Sequence, residues 1–167
     1  IKSAAGSSSV RIDYQRGALF EIQDGGSLSL QGLSISGAKT PDSTGNALVR
    51  TQRGSMLHNY ELLVDDLNVV DLNVNNSFNF LTVAKSTFAD RIEIRNSNFA
   101  RITGDILKLD AENDDFGIYN SEYVIIENSS FDAVQGALVN YYRGGTDEST
   151  FGPHFMLTGS VLNQVGN

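Results

Sequence analysis

The stretch that decides the fold is Ile92-Glu93-Ile94-Arg95-Asn96-Ser97-Asn98-Phe99-Ala100-Arg101-Ile102. Its apolar residues stand at offsets zero, two, seven and ten, and a polar turn separates offset two from offset seven. The pattern recurs at intervals of 30 to 34 residues. Its five copies are Leu28, Leu30, Ile35, Ala38; Leu62, Val64, Val69, Leu72; Ile92, Ile94, Phe99, Ile102; Val124, Ile126, Phe131, Val134; and Phe155, Leu157, Leu162, Val165. A fixed period of this kind is typical of a solenoid, whose units bury their apolar faces against their neighbours.

The spacing inside each unit indicates strands rather than helices. Offsets zero and two alternate as in a strand with one buried face, and a further strand-like segment precedes each copy. Those segments are residues 19–22, 48–51, 78–81, 106–109 and 138–141. Each coil therefore offers about three short strands joined by turns. The sequence predicts an all-β fold, a right-handed parallel β-helix of about five coils.

The turn after offset two carries residue types that favour tight turns. Offset four is occupied by Gly32, Asp66, Asn96, Asn128 and Gly159. These residues accept a left-handed backbone or bond nearby backbone groups, so local turn chemistry explains them. A second interpretation is that Asn96 and Asn128 stack as part of an amide ladder.

Composition excludes several classes of protein. The chain has 167 residues and no cysteine, so it has no disulfide framework, thiolate metal site or thiol nucleophile. Its net charge of −8 argues against a nucleic-acid partner. No run approaches the roughly 20 apolar residues of a membrane span. We therefore expect a single domain over residues 1–167, with no nucleic-acid or membrane partner.

The two ends of the chain lack the caps that a solenoid needs. Residues 3–9 are small and polar, and the last residues follow directly on a core position of the fifth copy. Exposed strand edges recruit other chains, so natural solenoids cover them. We therefore interpret the chain as part of a longer polypeptide.

Three longer insertions are the places where binding residues are expected, because loops on a rigid scaffold often carry function. They are residues 37–45, 110–120 and 141–154. The second contains Asp110, Glu112, Asp114 and Asp115, but it lacks the known calcium-loop patterns, and a solvated acidic loop is the preferred interpretation.

The third insertion is the densest group of functional side chains. Tyr141, Tyr142, Arg143 and His154 supply two rings, a fixed cation and an imidazole, which suit sugars and carboxylates. An internally satisfied loop, with Arg143 paired to Asp147 or Glu148, is the alternative. His58, the other histidine, has no recognisable partner and is interpreted as a surface or turn residue. Lys85 is expected to be solvated rather than a catalytic base.

The third insertion resembles a segment of polysaccharide lyase family 6, the alginate lyases related to chondroitinase B. The resembling segment, residues 142–154, reads YRGGTDESTFGPH. Further segments resemble the same family in the same order: residues 16–21, 71–75, 77–79, 89–94 and 115–120. The family's fold is a right-handed parallel β-helix.

The resemblance is to the downstream part of the two-domain members of the family. It implies that the chain is the C-terminal domain, or a fragment, of an alginate lyase that cleaves its polymer by β-elimination. In such enzymes the upstream β-helix carries the catalytic Lys and Arg and commonly a calcium ion. None of those roles transfers to this sequence, so we expect no catalytic residue, metal or cofactor here. The catalytic pair and calcium are expected in the N-terminal domain.

The expected role of the chain is to support that upstream β-helix domain and to contribute to the substrate cleft. Tyr141, Tyr142, Arg143 and His154 are the candidate substrate-binding residues, and alginate or another acidic polysaccharide is the expected partner. The isolated domain is expected to have little or no activity, although its residue types also allow an autonomous site. The expected location is secreted or periplasmic, in a bacterium. The alternatives are a non-catalytic carbohydrate-binding β-helix and a structural module.

Overall fold

The computed structural model describes residues 1, 10–13, 18–40, 47–111, 121–141 and 153–166. The regular elements in this part of the chain are all strands: β1 Val10–Asp13, β2 Phe20–Ile22, β3 Ser27–Ser36, β4 Ala47–Thr51, β5 Tyr60–Leu72, β6 Asn79–Thr82, β7 Ala89–Arg95, β8 Asn98–Ile102, β9 Leu107–Leu109, β10 Ser121–Glu127, β11 Ser130–Val134, β12 Val139–Tyr141, β13 His154–Thr158 and β14 Val161–Val165. Among these residues no helix has the length and apolar character needed to cross a bilayer.

The strands form the three faces of a parallel β-solenoid. The first face contains β7, β10, β13 and the N-terminal halves of β3 and β5, and the second contains β1, β8, β11, β14 and the C-terminal halves of β3 and β5. The third face is a separate sheet with the order β12-β9-β6-β4-β2. The twelve strand pairings among the described residues are all parallel. The all-β parallel β-helix is thereby confirmed, and the right-handed winding stays a prediction.

The register places the repeated residues directly above one another. Leu62 pairs with Ile92, and Ile92 pairs with Val124, so offset zero forms one column on the first face. Phe99 pairs with Phe131 on the second face. The segments that precede each copy form the third face, as the sequence predicts. Five copies enclose four intervals, so the described coils make about four complete turns rather than five.

Aromatic rings fill the centre of the solenoid. Phe99 and Phe131 stack with their ring centroids 5.2 Å apart, and Phe80 meets Phe99 edge-on at 4.9 Å. All three side chains are buried. Each ring contributes a large apolar area and an orienting contact that is worth about 0.5–1.5 kcal/mol beyond its burial. The middle coils are therefore packed around a continuous cluster of aromatic rings.

Two parts of the repeat are not core, which corrects the sequence pattern. Ala38, at offset ten of the first copy, is exposed, because pairing between β3 and β5 ends at Ser36 and the chain turns away from Gly37 onward. In the last copy Phe155 is 51% exposed and Leu162 is 47% exposed. Their side chains occupy core columns, but in the described chain no coil lies on their outer side.

The turn at offset four has the backbone that its residue types predict. Asp66, Asn96 and Asn128 have φ values of 51°, 49° and 49°, and the glycines at this offset are also left-handed. The turn interpretation is therefore confirmed. Asn96 donates to the Asp65 carboxylate at 2.8 Å.

An amide ladder exists, but it lies two positions later in the unit. Asn68 donates to the hydroxyl of Ser34 at 3.1 Å, and Asn98 donates to the amide oxygen of Asn68 at 2.8 Å. Ser130 then donates to Asn98 at 2.7 Å. These residues occupy offset six, on the outward side of the second face, where parallel register brings like residues together.

A second ladder, made of serines at offset five, fixes the turn itself. The hydroxyl of Ser97 accepts a bond from the Leu67 backbone N–H at 3.0 Å, and that of Ser129 accepts one from the Ser97 N–H at 3.1 Å. Ser160 accepts the equivalent bond from Ser129. Each hydroxyl also donates to the carbonyl two residues earlier in its own turn. Buried backbone donors are thus satisfied without a regular sheet at the corner.

Candidate functional site on the first face

Alternation along the strands sends every second side chain of the first face outward. In β10 Val124 and Ile126 are buried, so Tyr123 and Ile125 lie on the outer surface. The parallel register aligns Tyr123 with Arg91 of β7 and with His154 of β13. The three outward residues immediately precede offset zero of their copies, and they form one column across three neighbouring strands. We call this set the Arg91–Tyr123–His154 column.

The members of the column are in direct contact. The guanidinium carbon of Arg91 lies 5.9 Å from the centroid of the Tyr123 ring, within the range of a cation–π interaction. The Tyr123 and His154 rings are stacked, with centroids 5.0 Å apart and planes 18° apart. Both faces of the Tyr123 ring and one face of the His154 ring are therefore covered within the column, while Arg91 and His154 remain exposed to solvent.

Carboxylates and a further arginine surround the column. Glu93 accepts hydrogen bonds from both Arg91 and Arg95, at 3.2 Å and 3.1 Å, and Arg95 also pairs with Glu127 at 3.3 Å. Arg91 remains 46% exposed, so part of its donor fork faces solvent. This outer surface is therefore a mixed row of donors and acceptors rather than a uniformly basic patch.

A recess of about 430 Å³ lies at the His154 end of the column. Its lining combines the Tyr123 and His154 rings with the apolar side chains of Ile125, Phe155 and Met156. A second recess of about 340 Å³ lies on the same face, next to Glu93 and Arg95. Rings and aliphatic groups beside polar edges suit a ligand that is apolar on one side and hydroxylated on the other.

The structure separates the four candidate substrate-binding residues. His154 begins β13 and is exposed on the first face, whereas Tyr141 ends β12 on the third face and is half-buried against the core. The two are therefore not parts of one described cluster. Tyr142 and Arg143 lie outside the described residues, and their role stays a prediction.

His58 has a partner that the sequence did not reveal. Its ring Nδ1 lies 3.3 Å from a carboxylate oxygen of Asp24, while the other oxygen accepts the backbone N–H groups of Leu57 and His58 at 2.8 Å and 2.7 Å. The bond from the His58 backbone is the largest of the influences that hold the pKa of the Asp24 carboxyl below its ordinary value. The exposed position of His58 agrees with the predicted turn role.

The described residues offer no metal site. No group of three or more His, Cys, Asp or Glu side chains among them could hold an ion. Asp110 forms an ion pair with Lys108 at 2.9 Å, while Glu112, Asp114 and Asp115 of the acidic run lie outside the described part of the chain. The exposed Lys85 lies on a turn between β6 and β7.

Comparison with solved structures identifies the family to which the chain belongs. The structure of the PL6 family alginate lyase AlyGC matches 93% of this chain with a TM-score of 0.90 and 45% sequence identity. A mutant of the same enzyme matches equally well. The chain is a PL6-like domain. Searches against protein-family models and curated proteins found no match.

The PL6-like domain spans 22% of the length of the AlyGC chain that it matches. The family resemblance inferred from the sequence is thus confirmed, and it covers one part of a much longer relative. Arg91 and Tyr123, the two residues that complete the column with His154, were not among the predicted site residues. Aligning the repeats on offset zero and comparing the preceding positions would have found them, since the register pairs those positions.

Proposed function

We propose that this PL6-like domain is the C-terminal β-helix of an alginate lyase and that it supports depolymerisation of an acidic polysaccharide by β-elimination. The observation that carries the proposal is the 45% identity over 93% of the chain with a TM-score of 0.90 to a PL6 family alginate lyase.

The proposal assigns the chemistry and the support to different domains. Elimination from a uronate requires neutralisation of the carboxylate, a base for the C5 proton and an acid for the leaving oxygen. The described residues do not fit a calcium site, because no suitable cluster of ligands is present among them. As the family resemblance implies, we assign the catalytic Lys and Arg, and any calcium, to an upstream β-helix domain of the same protein. Tyr142 and Arg143 remain candidates for contacts across the cleft.

The proposed place of action follows from the size of the substrate. A polysaccharide does not cross a membrane unaided, so an enzyme that shortens it works where the polymer is found. We therefore propose that the protein is secreted or periplasmic, in a bacterium. The absence of cysteine is compatible with either compartment.

The experiment that tests this function compares the full-length protein with this domain alone. Alginate is the substrate, and the ultraviolet absorbance of the unsaturated uronate at the new chain end measures cleavage. We expect activity in the full-length protein and none in the isolated domain. Absence of cleavage in the full-length protein, with calcium present, would contradict the lyase proposal and favour a carbohydrate-binding module. Cleavage by the isolated domain would place the catalytic groups within residues 1–167.

A further inference from the structure

We propose that the Arg91–Tyr123–His154 column is a binding site for uronate units of an acidic polysaccharide, on the outer surface of the first face. The inference rests on the proposed function, and it adds a subsite on this domain. The expected ligand carries carboxylates and hydroxyls on successive sugar rings.

Stacking gives the column its pre-organisation. Because the Tyr123 ring lies between the Arg91 guanidinium and the His154 ring, each side chain restricts its neighbour's rotamers. Ordering rotamer-rich side chains at the moment of binding costs about 0.5–1.5 kcal/mol each, and a stack that is already ordered avoids part of that cost. The guanidinium, phenol and imidazole edges are thus held in one row before the ligand arrives.

The spacing of the row fits a saccharide that lies along the solenoid axis. Neighbouring strands are about 4.8 Å apart, so polar edges recur at that interval. The measured separation of the Tyr123 and His154 rings, 5.0 Å, follows from this spacing. One pyranose unit of an extended polymer has a comparable length. Successive sugar rings therefore meet successive side chains of the column.

The chemical groups of the column match those of a uronate. Arg91 offers a planar fork for a carboxylate, although Glu93 already accepts one of its N–H groups. Tyr123 and His154 exchange hydrogen bonds with hydroxyls. The apolar side chains of Ile125 and Met156 line the adjoining recess and can contact the less polar side of a sugar ring. Neighbouring Glu61 and Glu93 repel a densely charged polyanion, so a ligand with one carboxylate per sugar ring and neutral hydroxyls between the carboxylates is preferred.

The chain contains its own internal control for a test of this site. It has two histidines, both exposed, one in the column and one beside Asp24. In the full-length protein, diethyl pyrocarbonate modifies accessible imidazoles, and mass spectrometry measures the rate for each histidine peptide. The probe is a tetrauronate from alginate, with labelling completed before cleavage is measurable. A neutral tetrasaccharide of the same linkage is the comparison ligand.

The expected result is protection of His154 and not of His58. At a ligand concentration roughly ten times Kd, the labelling rate of His154 falls about tenfold, because only the free fraction reacts. The neutral sugar protects much less. Equal labelling of His154 with and without tetrauronate, in a protein that still cleaves alginate, overturns the subsite and leaves the lyase function intact. Loss of both protection and cleavage contradicts the proposed function itself.

Substitutions then assign any protection to the column. Tyr123→Ala removes the ring between Arg91 and His154, and we expect it to abolish protection by tetrauronate. Tyr123→Phe keeps the stack and removes the hydroxyl, so protection persists at a higher ligand concentration. Arg50→Gln, on the outer side of the third face, is a control variant outside the column and leaves protection unchanged. Full protection in Tyr123→Ala would overturn the proposal.

Discussion

The middle coils and the last coil carry the same apolar pattern, but they bury it to different degrees. Phe131 and Leu162 occupy the same offset and are direct partners in the second face. Phe131 is 1% exposed, whereas Leu162 is 47% exposed. The periodic pattern therefore determines which way a side chain points. Whether that side chain is buried depends on the presence of a coil on each side of it. In a solenoid these are separate properties.

The largest expected effect comes from truncating the central aromatic stack. Phe99→Ala removes a ring that contacts both Phe80 and Phe131, and it should lower the free energy of unfolding by about 3–5 kcal/mol. Leu162→Ala, at the same offset in the last coil, should cost less than about 1 kcal/mol in this 167-residue chain. Urea unfolding followed by circular dichroism measures both. Similar losses for the two variants would contradict the difference in burial.

The serine ladder extends the comparison to polar groups. Ser97→Ala leaves the buried N–H of Leu67 without its acceptor, and it should cost about 1–3 kcal/mol. Ser160→Ala, in the more exposed last coil, is the matched variant, and it should cost less because water can replace the lost hydroxyl. The same unfolding measurement applies. If Ser160→Ala lowered the free energy of unfolding as much as Ser97→Ala, water would reach the corner of the last coil no more easily than the corner of the middle coils.

Unlike the hydroxyls of the ladder serines, the hydroxyl of Tyr60 forms no hydrogen bond with the described residues. This hydroxyl is buried, and burial raises the pKa of the phenol well above its ordinary value. Tyr60→Phe removes the unsatisfied group and keeps the ring, so it should raise stability by about 1 kcal/mol. Tyr123→Phe, at an outward position, serves as the control and should change stability little. A destabilised Tyr60→Phe protein would indicate that the hydroxyl has a partner in solution.

The smallest expected effect on stability concerns Asp24, whose carboxylate accepts the backbone N–H groups of Leu57 and His58. Folding lowers the pKa of this carboxyl, so its contribution to stability is present above the unfolded pKa and is lost as the pH falls through the folded pKa. Asp24→Asn should therefore be less stable than the wild type at neutral pH, and the difference should shrink toward about pH 3.

A histidine variant separates the two contacts of Asp24. His58→Gln removes the ring and keeps the backbone N–H, which is the largest cause of the shift, so it should retain most of the pH dependence. Thermal unfolding of both variants across this pH range tests the assignment. A pH profile in His58→Gln as flat as that in Asp24→Asn would show that the ring contact is the dominant one.

The sequence predicts the three faces of this fold because strand alternation and a fixed period are written directly in its apolar residues. The left-handed turn at offset four was also predictable, since glycine and asparagine stand there. The serine and amide ladders were harder to predict from the sequence. Ser97 and Asn98 are ordinary turn residues in one copy, and only the register between coils shows that each meets a like residue above or below it.

The candidate site was only partly predictable for the same reason. The residue type of His154 predicts a site residue, but Tyr123 and Arg91 lie 31 and 63 residues away in sequence and have the pattern of ordinary strand residues. The role of His154 in sugar binding stays a prediction, and the sequence did not show that one face of its ring packs on Tyr123. Which face of a ring is free depends on tertiary neighbours that one sequence does not list.

The hydrogen bonds of the serine ladder all run in the same direction along the chain. Each turn's backbone donor is received by the serine of the coil that follows it in sequence: Leu67 by Ser97, Ser97 by Ser129, and Ser129 by Ser160. A coil that has just formed therefore holds an unfilled corner until the next coil arrives. During synthesis the chain emerges from its N-terminus, and each new coil completes the one before it. Each new coil therefore supplies the hydroxyl that the corner of the preceding coil lacks.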